Sequence, residues 1–159
     1  MKITGPIKNK TLAVWLTLLT GPAGLHRLYL FGRFDGLSAL QLIPTLIGAC
    51  GVLRAREIGL DDHASWVLIP WIGFSVAASS LNAIVYGLME AEKWNQRFNS
   101  EQAQSEAGNT GWLTIGGVVA ALLLGATVLL SSIAFSFQRY FEYQAEEPSP
   151  AAMTEEHRM

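Results

Sequence analysis

Four uncharged, apolar runs divide the chain, and charged residues close each of them. They occupy residues 11–25, 36–53, 64–89 and 112–137. A transmembrane helix needs about 20 consecutive apolar residues, and the second, third and fourth runs reach or approach that length. Aromatic residues near both ends of the third run stand where a membrane interface favours them. The pattern predicts an all-α, polytopic integral membrane protein with about four transmembrane helices.

The first run is too short to cross a bilayer unaided. As a helix at 1.5 Å per residue it would be about 23 Å long, against a hydrocarbon core of about 30 Å. We expect residues 26–31 to complete the crossing, with the Arg27 head extended toward the lipid phosphates. Pro22, between Gly21 and Gly24, could kink or stop the helix. A re-entrant segment is the alternative.

The N-terminus also has features of a secretory signal. Lys2, Lys8 and Lys10 precede the apolar run, and small residues follow it, as they do at a cleavage site. Apolar character resumes at once with residues 28–31, however. The segment is therefore better explained as one arm of a hairpin that stays in the membrane.

The polar segments between the runs predict the domain organisation. A short stretch joins the first two runs, so they form an antiparallel hairpin. The polar segment before the fourth run has a composition that could not bury a core, and the acidic C-terminus is expected to be disordered. The predicted units are a basic N-terminal segment (1–10), the hairpin (11–56), a loop and third helix (57–93), a polar linker (94–111), a fourth helix (112–137) and the tail (138–159).

Four crossings place both termini on one side of the membrane. Of the eleven Lys and Arg residues, seven then lie on that side, and an excess of positive charge marks the cytoplasmic side. Both termini are therefore predicted to be cytoplasmic, in the cytoplasmic (inner) membrane of a bacterium. The seven are Lys2, Lys8, Lys10, Arg54, Arg56, Arg139 and Arg158, and the other four are Arg27, Arg33, Lys93 and Arg97.

Composition supports the membrane class and excludes others. Only 15% of the residues are charged, against about 25% in soluble domains. The net charge is −2 and no basic stripe is present, so nucleic acid is not an expected partner. Cys50 is the single cysteine, which rules out an internal disulfide and a cysteine-based metal cluster.

The sequence between the first two runs resembles a known family. A helix that ends in Gly-x-His-Arg is followed by aromatic and apolar residues, a glycine and a second helix. Residues 10–56 thereby resemble the TM-two domain family, whose members contain two-helix membrane hairpins. Against its pattern, roughly Gly-x-His-Arg-Phe-Tyr-Leu-Gly, Leu28 replaces a Phe and Phe31 is inserted. The matched positions are Gly24, His26, Arg27, Leu28, Tyr29, Leu30 and Gly32.

The resemblance implies a fold module and no common biochemical activity. Animal members carry an Asp-Arg-Phe triplet between the helices, whereas this chain has Gly-Arg-Phe-Asp at 32–35, so no role tied to the triplet is carried over. Physically, His26, Arg27, Arg33 and Asp35 stand where two helix ends meet the interface, which favours anchoring. The functional alternative is that Arg27 and Arg33 bind lipid phosphate or an acidic partner, with Asp35 orienting them through an ion pair.

A metal site made of Asp61, Asp62, His63 and His26 is a weaker hypothesis. The spacing is not that of a carboxylate–histidine site, and four crossings put His26 on the opposite side of the membrane. We therefore expect a solvated loop in which Asp61 or Asp62 caps the third helix. No metal and no cofactor is predicted.

Small residues recur every four positions in the third and fourth helices. Such ridges let helix backbones approach closely in lipid, either within the chain or against a second copy or another membrane protein. The amides of Asn82 and Gln41 would seek hydrogen-bond partners in hydrocarbon. The ridges consist of Ser75, Ser79, Ala83 and Gly87 in the third helix and of Gly117, Ala121 and Gly125 in the fourth.

Motifs for enzymatic chemistry are missing from the sequence. It has no nucleophile elbow, phosphate loop, metal-ligand spacing or paired carboxylates within a helix. The leading hypothesis is a non-enzymatic scaffold or accessory subunit that acts through helix–helix and interfacial contacts in the bilayer. A small oligomeric channel or transporter subunit is the alternative, with Asn82 and Gln41 facing a lumen, and a membrane enzyme is the third hypothesis.

Overall fold

The computed structural model describes residues 6–33, 35–102 and 105–146, and these form an all-α structure without a strand. Short 3₁₀ turns at Gly21–Ala23, Ser100–Gln102 and Glu106–Gly108 connect the helices. Part of the predicted tail, from residue 147, lies outside the described residues, as does Lys2. The helices are α1 (Lys10–Thr20), α2 (Leu25–Phe31), α3 (Gly36–Glu57), α4 (His63–Leu68), α5 (Pro70–Leu88), α6 (Ala91–Phe98) and α7 (Trp112–Glu146).

Three segments are long and apolar enough to cross a membrane: Gly36–Glu57, His63–Leu88 and Glu106–Ala145. They correspond to α3, to α4 with α5, and to α7 with the turn before it. The first of the four expected crossings is not among them. Helix α1 has 11 residues and is about 17 Å long, because it ends where the Gly-Pro turn begins. Helix α7 continues to Glu146 instead of ending at residue 137.

Helices α1 and α2 form a hairpin that returns to the end of the bundle where it began. The Asn9 backbone N–H donates to the Tyr29 hydroxyl at 2.9 Å, so the last turn of α2 lies beside the first turn of α1. Gly24 makes the reversal with a φ of 73°, which favours glycine. Residues 26–31 thus lead back instead of completing a crossing. A chain that reverses within the bundle is the geometry expected for the re-entrant alternative.

The turn of the hairpin packs against α3 and α5. The Thr45 hydroxyl donates to the Pro22 carbonyl at 2.6 Å, and Gly21 packs so closely on Ser79 that an added Cβ would lie 2.6 Å from the Ser79 Cβ. Non-helical backbone at membrane depth is tolerated only where protein or a cavity surrounds it. These contacts supply that shelter, and they explain why the chain can turn inside the bundle.

The bundle has two ends, a hairpin end and a loop end. At the hairpin end, the Lys10 ammonium donates to the Met89 carbonyl at 2.5 Å and to the Thr110 hydroxyl at 2.8 Å, which brings together the start of α1, the end of α5 and the segment before α7. At the loop end, the Ser136 hydroxyl donates to the Trp66 carbonyl. Helix α5 lies at the centre, in contact with α1, α3 and α7.

Both ridges of small residues lie between helices of the same chain. A Cβ on Gly125 would stand 2.6 Å from the Ser80 Cβ, and a Cβ on Gly117 would stand 2.8 Å from a Val14 methyl. Ala83 and Ala121 are fully buried. The ridges therefore serve to bring α1, α5 and α7 close together, which is how helices pack in lipid.

The polar linker contributes to a folded cap at the hairpin end, which consists of α6 and Asn99 and packs on the segment before α1. Trp94 on α6 is fully buried, and its indole N–H donates to the Lys8 carbonyl at 3.0 Å. The Asn99 amide pairs with the backbone of Lys8 in both directions, accepting from its N–H at 2.7 Å and donating to its carbonyl at 3.1 Å. The sequence indicated that this segment could not bury a core. The segment is nevertheless folded, because the buried Trp94 side chain and the hydrogen bonds between Asn99 and the Lys8 backbone hold it on the bundle.

Candidate functional site

His26 is buried on α2, and its imidazole has no hydrogen-bond partner among the described residues. The side chain is 1% exposed, and neither ring nitrogen forms a hydrogen bond within the described part of the chain. Its ring faces the Tyr86 ring of α5, with the centroids 6.4 Å apart. The reversal at Gly24 brings α2 back along the bundle and so places the His26 ring beside Tyr86 in the second half of α5. Buried polar atoms are almost always paired, so His26 is the outstanding feature of the hinge.

Arg27 and Asp35 form an ion pair next to His26. The Arg27 Nε donates to Asp35 Oδ1 at 2.8 Å, and a second bond joins Nη2 to Oδ2. Asp35 also caps α3 by accepting from the Ser38 N–H and hydroxyl at 3.0 and 2.9 Å. The hydrogen bond from Arg27, with help from Ser38, holds the pKa of the Asp35 carboxyl well below its usual range. The positive charge of Arg27 is therefore balanced inside the chain.

A pocket of about 420 Å³ lies between α2, α3 and α5. Its buried side is formed by His26, Gln41 and Ser75, whereas apolar side chains of the outer surface form its rim. Four of these are well exposed, so the pocket opens sideways from the bundle. They are Leu37, Leu40, Trp71 and Phe74, which are 45–62% exposed.

The polar side chains of the pocket differ in whether they form hydrogen bonds within the described part of the chain. The Gln41 amide donates to the Ser79 hydroxyl at 2.7 Å and to the Ser75 carbonyl at 3.3 Å. Asn82 also lines the pocket and is half-buried, but no hydrogen bond joins its side chain to any residue that the structure describes. Pro44 sits within α3 and has no N–H to donate to the Leu40 carbonyl one turn earlier.

The other hinge residues shape the backbone or lie at the surface. Gly24 packs against α3 so that an added Cβ would be 2.7 Å from the Ser38 carbonyl oxygen. Gly32 ends α2 with a φ of 68° and donates to the Leu28 carbonyl at 2.9 Å. Tyr29 closes the hairpin at Asn9. Arg33 is exposed and forms no ion pair with a described residue.

The loop between α3 and α4 lies at the opposite end from His26. Asp62 caps α4 by accepting from the Ser65 N–H at 3.2 Å and pairs with Arg54 at 3.0 Å. The hydrogen bond from Arg54 holds the pKa of the Asp62 carboxyl well below its usual range. His63 packs edge-on between the rings of Trp66 and Tyr143. Across the described ranges, no group of three His, Cys, Asp or Glu residues is placed to hold a metal ion.

The structure brings together hinge residues and helix amides that are far apart in the sequence. His26 and Arg27 of the hinge share one pocket with Gln41 and Asn82. Tyr86, Trp71 and Phe74 were not considered for the site, because each is an ordinary apolar position of a membrane helix. Lys10 was counted only as an interfacial charge, yet its side chain is fully buried, and burial lowers the pKa of its ammonium.

Comparisons with protein-family models, with curated proteins and with solved structures find no match to this chain. Function is therefore inferred from the fold and from the pocket themselves.

Proposed function

We propose that the protein is a non-enzymatic scaffold or accessory subunit of a membrane assembly. The observation that carries the proposal is the folded cap at the hairpin end, in which Trp94 and Asn99 hold α6 on the segment before α1. A scaffold needs a defined surface outside the bilayer, and a loose tether would not provide one. The exposed side chains of Lys93 and Arg97 lie on this cap, where an acidic partner or lipid phosphates could meet them.

We also propose an orientation different from the one expected for four crossings. With three crossings and a re-entrant hairpin, the described cations divide into six at the hairpin end and three at the loop end. This bias favours a cytoplasmic hairpin end, with the loop end on the other side of a bacterial inner membrane. The six are Lys8, Lys10, Arg27, Arg33, Lys93 and Arg97, and the three are Arg54, Arg56 and Arg139.

The TM-two resemblance remains part of the proposal. It covers residues 10–56, and its support is the short connection between the end of α2 at Phe31 and the start of α3 at Gly36. In this chain the helix before the turn is short and re-entrant, which is a departure from two spanning helices. The resemblance thus supports a shared local hairpin, and the scaffold function rests on the cap.

Site-specific photocrosslinking in native membranes tests the proposal. A photoreactive residue at Lys93 on the cap is expected to give a discrete adduct with another membrane protein. The matched control is the same residue at Leu123, which is 62% exposed on α7 and should meet only lipid. Asn99→Ala should weaken the Lys93 adduct, because it loosens the cap. Absence of an adduct from Lys93, or equal adducts from both positions, would contradict a scaffold that works through this surface.

A channel or transporter subunit has one observation in its favour, the polar pocket at His26 and Asn82. That pocket opens to the side, however, and Gln41 is already bonded within the chain. Ion flux in liposomes that contain only this protein, reduced by Asn82→Leu, would favour the channel. Intact oligomers without flux would leave the scaffold as the better account.

A further inference from the structure

We propose that the pocket between α2, α3 and α5 binds the uncharged, hydroxyl-bearing head of a membrane lipid, of the diacylglycerol type, with the His26 imidazole and the Asn82 amide as its hydrogen-bond partners. The proposal does not depend on the scaffold function. It starts from two polar side chains that line one pocket, His26 and Asn82, and that lack hydrogen bonds within the described residues.

The location of the pocket indicates that the ligand comes from the lipid phase. Its rim consists of apolar side chains on the outer surface of α3 and α5, which contact acyl chains when these helices span the bilayer. A lipid whose tail lies along Leu37, Leu40 and Phe74 would place its head against the buried side. The volume of about 420 Å³ lies within the range of small-molecule sites, about 300–1,000 Å³.

The charges around the pocket indicate an uncharged head. The one ionised side chain in its lining is Arg27, and Asp35 balances that charge through two hydrogen bonds. A phosphate head would have to be desolvated without a free cation to meet it, which is costly. A buried imidazole without an anionic partner is neutral, because burial disfavours its charged form.

The available hydrogen-bond groups favour a hydroxyl over a carbonyl. A neutral imidazole has one donor and one acceptor, and an amide side chain has both kinds of group. A hydroxyl both donates and accepts, so it matches this mixed set. A quinone carbonyl only accepts and would leave the acceptors unmatched.

Photoaffinity labelling of the full-length protein in phosphatidylcholine nanodiscs tests the proposal. The probe is a diacylglycerol with a diazirine in one acyl chain, and labelled peptides are identified by mass spectrometry. We expect labelling of α3 and α5 at the rim of the pocket. Replacing the free hydroxyl by a methyl ether should reduce labelling about tenfold, the effect of losing one or two good hydrogen bonds.

Protein variants separate the pocket from unspecific insertion. Asn82→Leu removes an amide that has no partner in the described chain and should fold normally, and His26→Phe keeps the ring volume. Both are expected to lower labelling to the level of the ether probe. Ser80→Ala is the matched control, since it removes another buried, unpaired polar atom that does not line the pocket, and labelling should be unchanged.

Three results would overturn the proposal. Equal labelling by the alcohol and the ether would show that the head makes no hydrogen bond. Equal competition by a quinone would show that an acceptor alone is enough, and stronger labelling by the corresponding phosphatidic acid probe would show that the site prefers an anion. Unchanged labelling of a folded Asn82→Leu variant would show that the probe does not bind in this pocket. That conclusion would hold even if His26→Phe failed to fold.

Discussion

The Tyr29 hydroxyl accepts a hydrogen bond from the Asn9 backbone N–H at 2.9 Å, across a separation of 20 residues. Between these residues the chain enters the bundle, turns at Gly24 and comes back. The contact therefore places the end of α2 at the same end of the molecule as the segment before α1. The segments that are long and apolar enough to span are α3, α4 with α5, and α7 with the turn before it.

Topology is the first property that this contact predicts. In a Cys50→Ser background, single cysteines at Lys8, Arg33 and Lys93 should react with a membrane-impermeant maleimide from the same side, and a cysteine at Asp61 from the opposite side. The reason is that α1 and α2 return to the hairpin end. Labelling of Lys8 and Arg33 positions from opposite sides would instead establish four crossings.

Substitution of the Arg27–Asp35 pair should reveal coupling between the two residues. Asp35→Asn leaves the guanidinium without its anion and weakens the cap on Ser38, so the thermal midpoint in detergent should fall. Arg27→Gln should also lower it, and the double variant should lose less than the two single losses added together. Strict additivity in this double-mutant cycle would mean that the pair contributes no interaction of its own.

The same pair predicts a pH dependence with a definite sign. The pKa of Asp35 is lower in the folded protein than in the unfolded chain, so the pair stabilises the fold fully above the ordinary aspartate pKa of about 3.9. That contribution is lost as the pH falls below this value toward the folded pKa. The difference in thermal midpoint between the wild type and Asp35→Asn should therefore shrink on acidification from pH 6 and stay constant on alkalinisation.

Gly24 and Gly32 offer a matched comparison of backbone conformation and packing. Both have a positive φ, but an added Cβ meets the Ser38 carbonyl only at Gly24 and open space at Gly32. Gly32→Ala should cost about 1 kcal/mol for the left-handed conformation alone. Gly24→Ala should cost about 2–4 kcal/mol, because overpacking against α3 is added. Equal losses of unfolding free energy in denaturant titrations would argue against a tightly packed turn.

Asn99 should hold the cap in place. Asn99→Ala leaves the Lys8 N–H without its side-chain acceptor and leaves the Lys8 carbonyl with the Trp94 indole as its remaining side-chain donor, at a cost of about 1–3 kcal/mol. Amide hydrogen exchange should accelerate across α6 and at the start of α1. Gln96→Ala is the control, since that exposed amide bonds only to Glu92 among the described residues, and exchange should be unaltered. Faster exchange in both variants would mean that α6 frays on its own.

Local properties of the chain were sufficient for part of the fold. Hydropathy and length predict three long apolar helices at α3, α4 with α5, and α7, and the structure contains all three as segments long and apolar enough to cross a membrane. The same properties predict that residues 11–25 are too short to span. The sequence predicts that Asp61 or Asp62 caps the helix that follows, and Asp62 does so by accepting from the Ser65 N–H; Asp35 also caps a helix, which was not predicted from the sequence. Each of these features depends on neighbours only a few residues away.

The course of the chain after Gly24 depends on distant contacts. Residues 26–31 could continue in the same direction or return. The contacts of Thr45 and Ser79 with the turn favour the return, and no local sequence pattern links these two residues to Pro22. The cap likewise rests on Lys8 pairing with Asn99, 91 residues later. The pocket depends on the return of α2, which buries His26 beside α3 and α5. Composition and hydropathy thus determine that the chain forms long apolar helices able to cross a membrane, and long-range packing determines how the helices turn and which polar groups of the described residues meet in one pocket.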